Sequence, residues 1–94
     1  RNYYRRNAEL LAAPFVKHGY SFSGGAYVPY LLVNVNENGE SFAEKLLEKA
    51  AVCVTPGEGF GAKNSIRISC LCTREAAEVG AERLNKYLEA IKSV

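Results

Sequence analysis

Ninety-four residues leave room for one small domain, since independent domains usually run from about 50 to 250 residues. The composition, 48% hydrophobic and 23% charged, is that of a globular chain rather than a disordered tail. A formal charge of +2 is too small for the single-signed field that drives non-specific binding to nucleic acid or membrane, so neither is an expected partner. The uncharged stretch from Tyr20 to Asn36 is broken by Gly, Ser, Pro and Asn and is shorter than the roughly 20 apolar residues that span a bilayer. Three cysteines is an odd number, and a strand through Cys70 and Cys72 would aim both at one face. This argues against a disulfide framework and for a reducing compartment, with the cytoplasm as the expected location. With no initial Met and no signal segment, Arg1 is not expected to be the start of the gene product.

In chain order, Tyr4, Ala8, Leu11 and Phe15 recur at helical spacing and predict a helix over 2–18, kinked or restarted near Ala13 by Pro14 and stopped by Gly19. Residues 26–35, rich in Tyr, Val and Leu around Pro29, predict a strand limited there to an edge or bulge. Asn36 to Gly39 reads as a turn, and Ser41 with Glu44 has the spacing of a capping box before a short helix over 42–50. A brief strand over 51–55 should end at the Pro56-Gly57 turn, followed by a loop to Asn64. Ile66, Ile68 and Cys70 alternate with Arg67, Ser69 and Leu71 in a further strand. Thr73 then caps a helix whose Ala76, Ala77, Gly80, Leu84, Leu88 and Ile91 repeat to the end. The order α-β-α-β-β-α predicts an α+β fold: a small sandwich of mainly antiparallel sheet with helices on one face.

Few residues are equipped for chemistry. The single histidine, His18, sits at a helix C-terminus, where it complements the dipole. With one His and no Asp, neither a structural zinc set nor a Ser-His-Asp constellation can be assembled. The Gly57-Glu58-Gly59-Phe60-Gly61 loop has the look of a phosphate cradle, but it leads into a strand and lacks the following Lys and Ser/Thr. Arg67 stands between two isoleucines. Its guanidinium can offer a planar two-donor fork to a carboxylate, or simply face solvent on the open side of the sheet.

Gly24-Gly25, Pro29-Tyr30, Val33, Ser41, Phe42, Glu44, Leu47-Glu48, Ala50, Thr55-Pro56-Gly57, Gly59-Phe60-Gly61, Arg67, Ser69 and Arg74-Glu75 together resemble a known pattern. It is that of the C-terminal small domain of class I/II (fold type I) aminotransferases, nearest to the LL-diaminopimelate aminotransferase group. The resemblance runs over essentially the whole chain and implies one domain, 1–94, with 1–19 leading in from a large domain and 20–94 forming the sandwich. It also implies a parent enzyme that moves an amino group between an amino acid and a 2-oxo acid with pyridoxal 5'-phosphate, acting as a homodimer. In that family the large domain supplies most of the cofactor site, so this chain alone is expected to be inactive and to supply no catalytic or cofactor-binding residue. Arg67 falls at the position of the arginine that binds the substrate α-carboxylate. Asn7 stands where an acidic residue is usual, and Pro14 departs from the smoother helix expected. Two alternatives stand beside this reading: a free-standing ferredoxin-like regulatory or RNA-binding module, and a catalytically silent domain kept for dimer contacts. Against RNA, Tyr27 and Tyr30 would fall on opposite faces of a strand and form no stacking platform.

Overall fold

The computed structural model describes residues 4–92. Helix α1 spans Arg5–Lys17 and is continuous through Pro14, without the expected restart. The ring is buried on the core side together with Ala8, Leu11, Ala12 and Phe15, so packing offsets the amide that proline cannot donate. The helix ends as expected at Gly19 (φ 82°). Gly19 N donates to Val16 O and Tyr20 N to Phe15 O, while the Phe15 and Tyr20 rings meet edge to face at 5.6 Å, a complete Schellman motif. The predicted start at Asn2 lies outside the described residues.

Of the predicted strand over 26–35 only 30–34 is strand, as the second arm of a hairpin. Strand β1, Phe22–Gly24, pairs antiparallel with β2, Tyr30–Asn34. Gly24 and Gly25, at φ 91° and 87°, begin the connection, which closes through Gly25 N donating to Val28 O. Pro29 therefore precedes the strand and removes no ladder donor; its carbonyl accepts from Cys70 N at 2.8 Å. Helix α2 starts earlier than read, at Gly39, and runs Gly39–Ala50. The cap is Asn38, whose side chain accepts from Ser41 N at 2.9 Å; Ser41 is a first-turn residue and not the cap.

The expected strand over 51–55 shrinks to β3, Thr55–Pro56, and the loop behind it closes into a 3-10 turn, Gly57–Phe60. Strand β4, Ser65–Ser69, pairs with both β2 and β3, so the sheet order is β1-β2-β4-β3, antiparallel throughout. Because β4 stops at Ser69, strand alternation does not extend to Cys72. Cys70 is buried and Cys72 exposed, which corrects the expectation of a shared face. All three cysteines are free. Helix α3 covers Arg74–Lys92 and is capped by Thr73, whose Oγ1 accepts from Ala76 N at 3.1 Å.

Leu31 and Val33 of β2 and Ile66 and Ile68 of β4 point into one core with Phe15, Phe42, Leu46, Leu84 and Leu88. The three helices cover that face, while Tyr30, Asn34, Arg67 and Ser69 remain on the open one. The observed order is α-β-β-α-β-β-α, one strand more than the sequence predicts, and it confirms an α+β domain with a four-stranded antiparallel sheet. Asn7 is buried at the join of α1 with the β4–α3 connection. Its Nδ2 donates to Cys70 O (3.2 Å) and Cys72 O (2.7 Å), and its Oδ1 accepts from Arg74 Nε (3.0 Å). An aspartate could not make the first two bonds.

Candidate functional site on the open face of the sheet

Arg67 lies at the middle of β4, opposite Leu32 of β2 on one side and Thr55 of β3 on the other. Its neighbours Ile66 and Ile68 are buried, so strand alternation sends the guanidinium to the helix-free face, where it is exposed. Two aromatic rings approach it there. The Arg67 Cζ is 4.8 Å from the centroid of Phe60 and 5.5 Å from that of Tyr30, both within cation–π range. Among the described residues no carboxylate forms an ion pair with it.

The two rings arrive from opposite sides of β4. Tyr30 opens β2 and is paired with Ser69, whereas Phe60 closes the 3-10 turn behind β3. That turn is fixed by Glu58, whose Oε2 accepts from Gly39 N at the start of α2 (2.8 Å) and from Asn64 N just before β4 (3.0 Å). These two backbone donors hold the Glu58 carboxyl below its ordinary range despite desolvation, which opposes them. The oxygen not used, Oε1, is buried without a partner among the described residues. Side chains are excluded around this strut: a Cβ on Gly39 would run into Ser65 O, and one on Gly57 into Ala62 O. The glycine-rich loop is thus a rigid turn folded around a carboxylate of its own, with Glu58 inside it. Within the turn, Gly61 N donates to Glu58 O and Ala62 N to Gly57 O, so these amides are turned inward and not toward a phosphate.

The other polar clusters serve packing. His18 Nε2 lies 3.1 Å from Asn85 Oδ1, and Lys17 pairs with Glu89 at 3.2 Å, joining the end of α1 to α3. No group of three or more His, Cys, Asp or Glu among the described residues could hold a metal ion. No described helix is long and apolar enough to cross a membrane.

The sequence points to Arg67 but not to the rings beside it. Tyr30 is the first residue of its strand, and Tyr27 lies in the hairpin connection, 90% exposed, rather than in a strand. The sequence signal for Glu58 is an acidic residue within a run of glycines.

The model of the aminotransferase class I and II family matches residues 1–84, and the chain belongs to that family. It is 36% identical over 90 residues to an LL-diaminopimelate aminotransferase of Desulfotalea psychrophila, covering 93% of this chain and 22% of that protein. Over 66 residues it is 46% identical to a (5-formylfuran-3-yl)methyl phosphate transaminase of Methanocaldococcus jannaschii, covering 68% of this chain and 17% of the relative. Among solved structures, the L,L-diaminopimelate aminotransferase from Chlamydomonas reinhardtii superposes with a TM-score of 0.87 at 27% identity, over 93% of this chain and 22% of that one. The chain thus spans about a fifth of the length of the relatives it matches. Membership of this family favours the aminotransferase reading over a ferredoxin-like regulatory or RNA-binding module.

Proposed function

We propose that residues 1–94 are the C-terminal small domain of a pyridoxal-phosphate-dependent aminotransferase, and that Arg67 binds the α-carboxylate of its amino-acid and 2-oxo-acid substrates. The carrying observation is the state of Arg67: an arginine on the sheet's open face, stacked by two rings and without a carboxylate of its own among the described residues. A guanidinium so placed offers parallel N–H donors that match a carboxylate. The sequence has no aspartate to pair with a pyridinium nitrogen, which argues that these residues alone do not complete a cofactor site. Cofactor contacts are therefore assigned to a large domain, with a cytoplasmic homodimer as the working assembly and LL-diaminopimelate as the first substrate to try, after the relatives' names.

The chain's own contribution is to bind and orient. A carboxylate on Arg67 fixes one end of the substrate, and orientation of the reacting end follows. Charge-assisted hydrogen bonds of this kind contribute about 1.5–3 kcal/mol each, so Arg67→Ala in the complete enzyme should lower kcat/KM more than tenfold. Arg67→Lys keeps the charge but loses the fork and should recover only part of the activity. Steady-state kinetics, with melting temperature and cofactor content as controls, test this; kcat/KM within about threefold of wild type for the alanine variant would remove Arg67 from the site.

A further inference from the structure

Arg67 has no partner that fixes it by hydrogen bonding among the described residues, yet an anchor works only if its fork points one way. Its stem is flanked at the same register by Leu32 and Thr55, and its head by the rings of Phe60 and Tyr30 at 4.8 and 5.5 Å. An aromatic ring engages a guanidinium through its face and leaves the N–H edge unused, whereas a carboxylate neighbour would occupy that edge. Rings can therefore hold this arginine while leaving its donors free for an incoming anion. They are themselves set on fixed elements. Phe60 sits in the turn bound to α2 and β4 through Glu58, and Tyr30 begins β2, one residue after the Pro29 carbonyl that accepts from Cys70 N. Both rings are part-exposed, 45% for Phe60 and 37% for Tyr30, more than expected for large apolar groups placed only to fill a core.

We infer that Phe60 and Tyr30 are positioning residues for Arg67, a pair of aromatic jaws that hold the guanidinium edge-outward for a substrate carboxylate. The inference rests on Arg67 being the anchor, and its test separates the two. In the complete enzyme, kcat/KM is measured for LL-diaminopimelate, or for whichever other amino acid is turned over faster, in a double-mutant cycle of Phe60→Leu and Arg67→Ala. Leucine keeps the apolar bulk and removes the ring face. Phe60→Leu should lower kcat/KM about three- to tenfold, as expected for losing one cation–π contact. The same change should have no further effect in the Arg67→Ala background, because there is then no guanidinium to hold. Phe60→Tyr, which restores a ring, should recover more than half of the loss. Tyr30→Leu should behave alike with a smaller effect, in keeping with its longer distance. An equal loss from Phe60→Leu with and without Arg67 would make Phe60 a structural residue and overturn the inference. So would an unaffected Phe60→Leu enzyme beside an impaired Arg67→Ala enzyme, and that outcome would leave the anchor assignment intact. An unimpaired Arg67→Ala enzyme would overturn both.

Discussion

Of the three cysteines, Cys70 differs in chemistry from Cys53 and Cys72 because of its burial. Cys70 follows β4 directly and is fully buried, and burial pushes its thiol up to about 11, with the nearby Cys72 adding to the shift. Cys53 and Cys72 are exposed. Thiolate is the reacting species, so a thiol reagent near neutral pH should modify two cysteines of the folded domain quickly, the third appearing only on unfolding. Mass spectrometry of the partly labelled protein checks this: label on Cys70 at a rate matching Cys53 would mean that the β4 end opens readily. Asn7 bears on the same point, since its two bonds to the Cys70 and Cys72 carbonyls close the connection over that sulfur.

Among the elements, the turn between β3 and β4 behaves as an extension of α2, because Glu58 accepts from Gly39 N across 19 residues of sequence. Its carboxyl is held below the ordinary range in the folded domain, so its stabilising contribution is present above that range and is lost as pH falls through the lowered value. Glu58→Gln should thus melt below wild type at neutral pH, with the gap closing as the buffer is acidified. A gap that widened in acid would mean that the carboxylate is not the acceptor. Elements whose signal is local were readable from sequence: α3 from its repeat and Thr73, the end of α1 from Gly19, the outward turn of Arg67 from the isoleucines beside it. What was not readable depends on distant partners. Strand β1 is short, Ser- and Gly-containing and exposed throughout, so it exists only because β2 pairs with it. Asn38 passed for a turn residue, as the Asn-Gly pair suits either role. The stacking of Tyr30 on Arg67 joins residues 37 apart through sheet register, which no spacing rule reports.

For the molecule as a whole, the helix-covered face of the sheet is closed, but the outer side of α1 and the hairpin is not. Val16 is 61% exposed and Tyr27 90%, with Phe22 alongside, around a groove lined by Ala8, Ala12 and Leu31. Under the proposed function the rest of the enzyme shields such surface. The isolated chain should then bind a hydrophobic dye more strongly, mole for mole, than the complete protein does, and should self-associate on gel filtration. A monodisperse isolated chain with no dye signal would count against its being one domain of a larger enzyme. The order Ile66-Arg67-Ile68 has a consequence for how faithfully such an enzyme is assembled. A slip of β4 by one residue against β2 would drive a guanidinium into the core and turn two isoleucines to water. That error unfolds the domain instead of leaving a folded one with its arginine facing the wrong way. The direction of Arg67 is thereby inherited from the stability of the core, and any copy that folds at all presents its guanidinium outward.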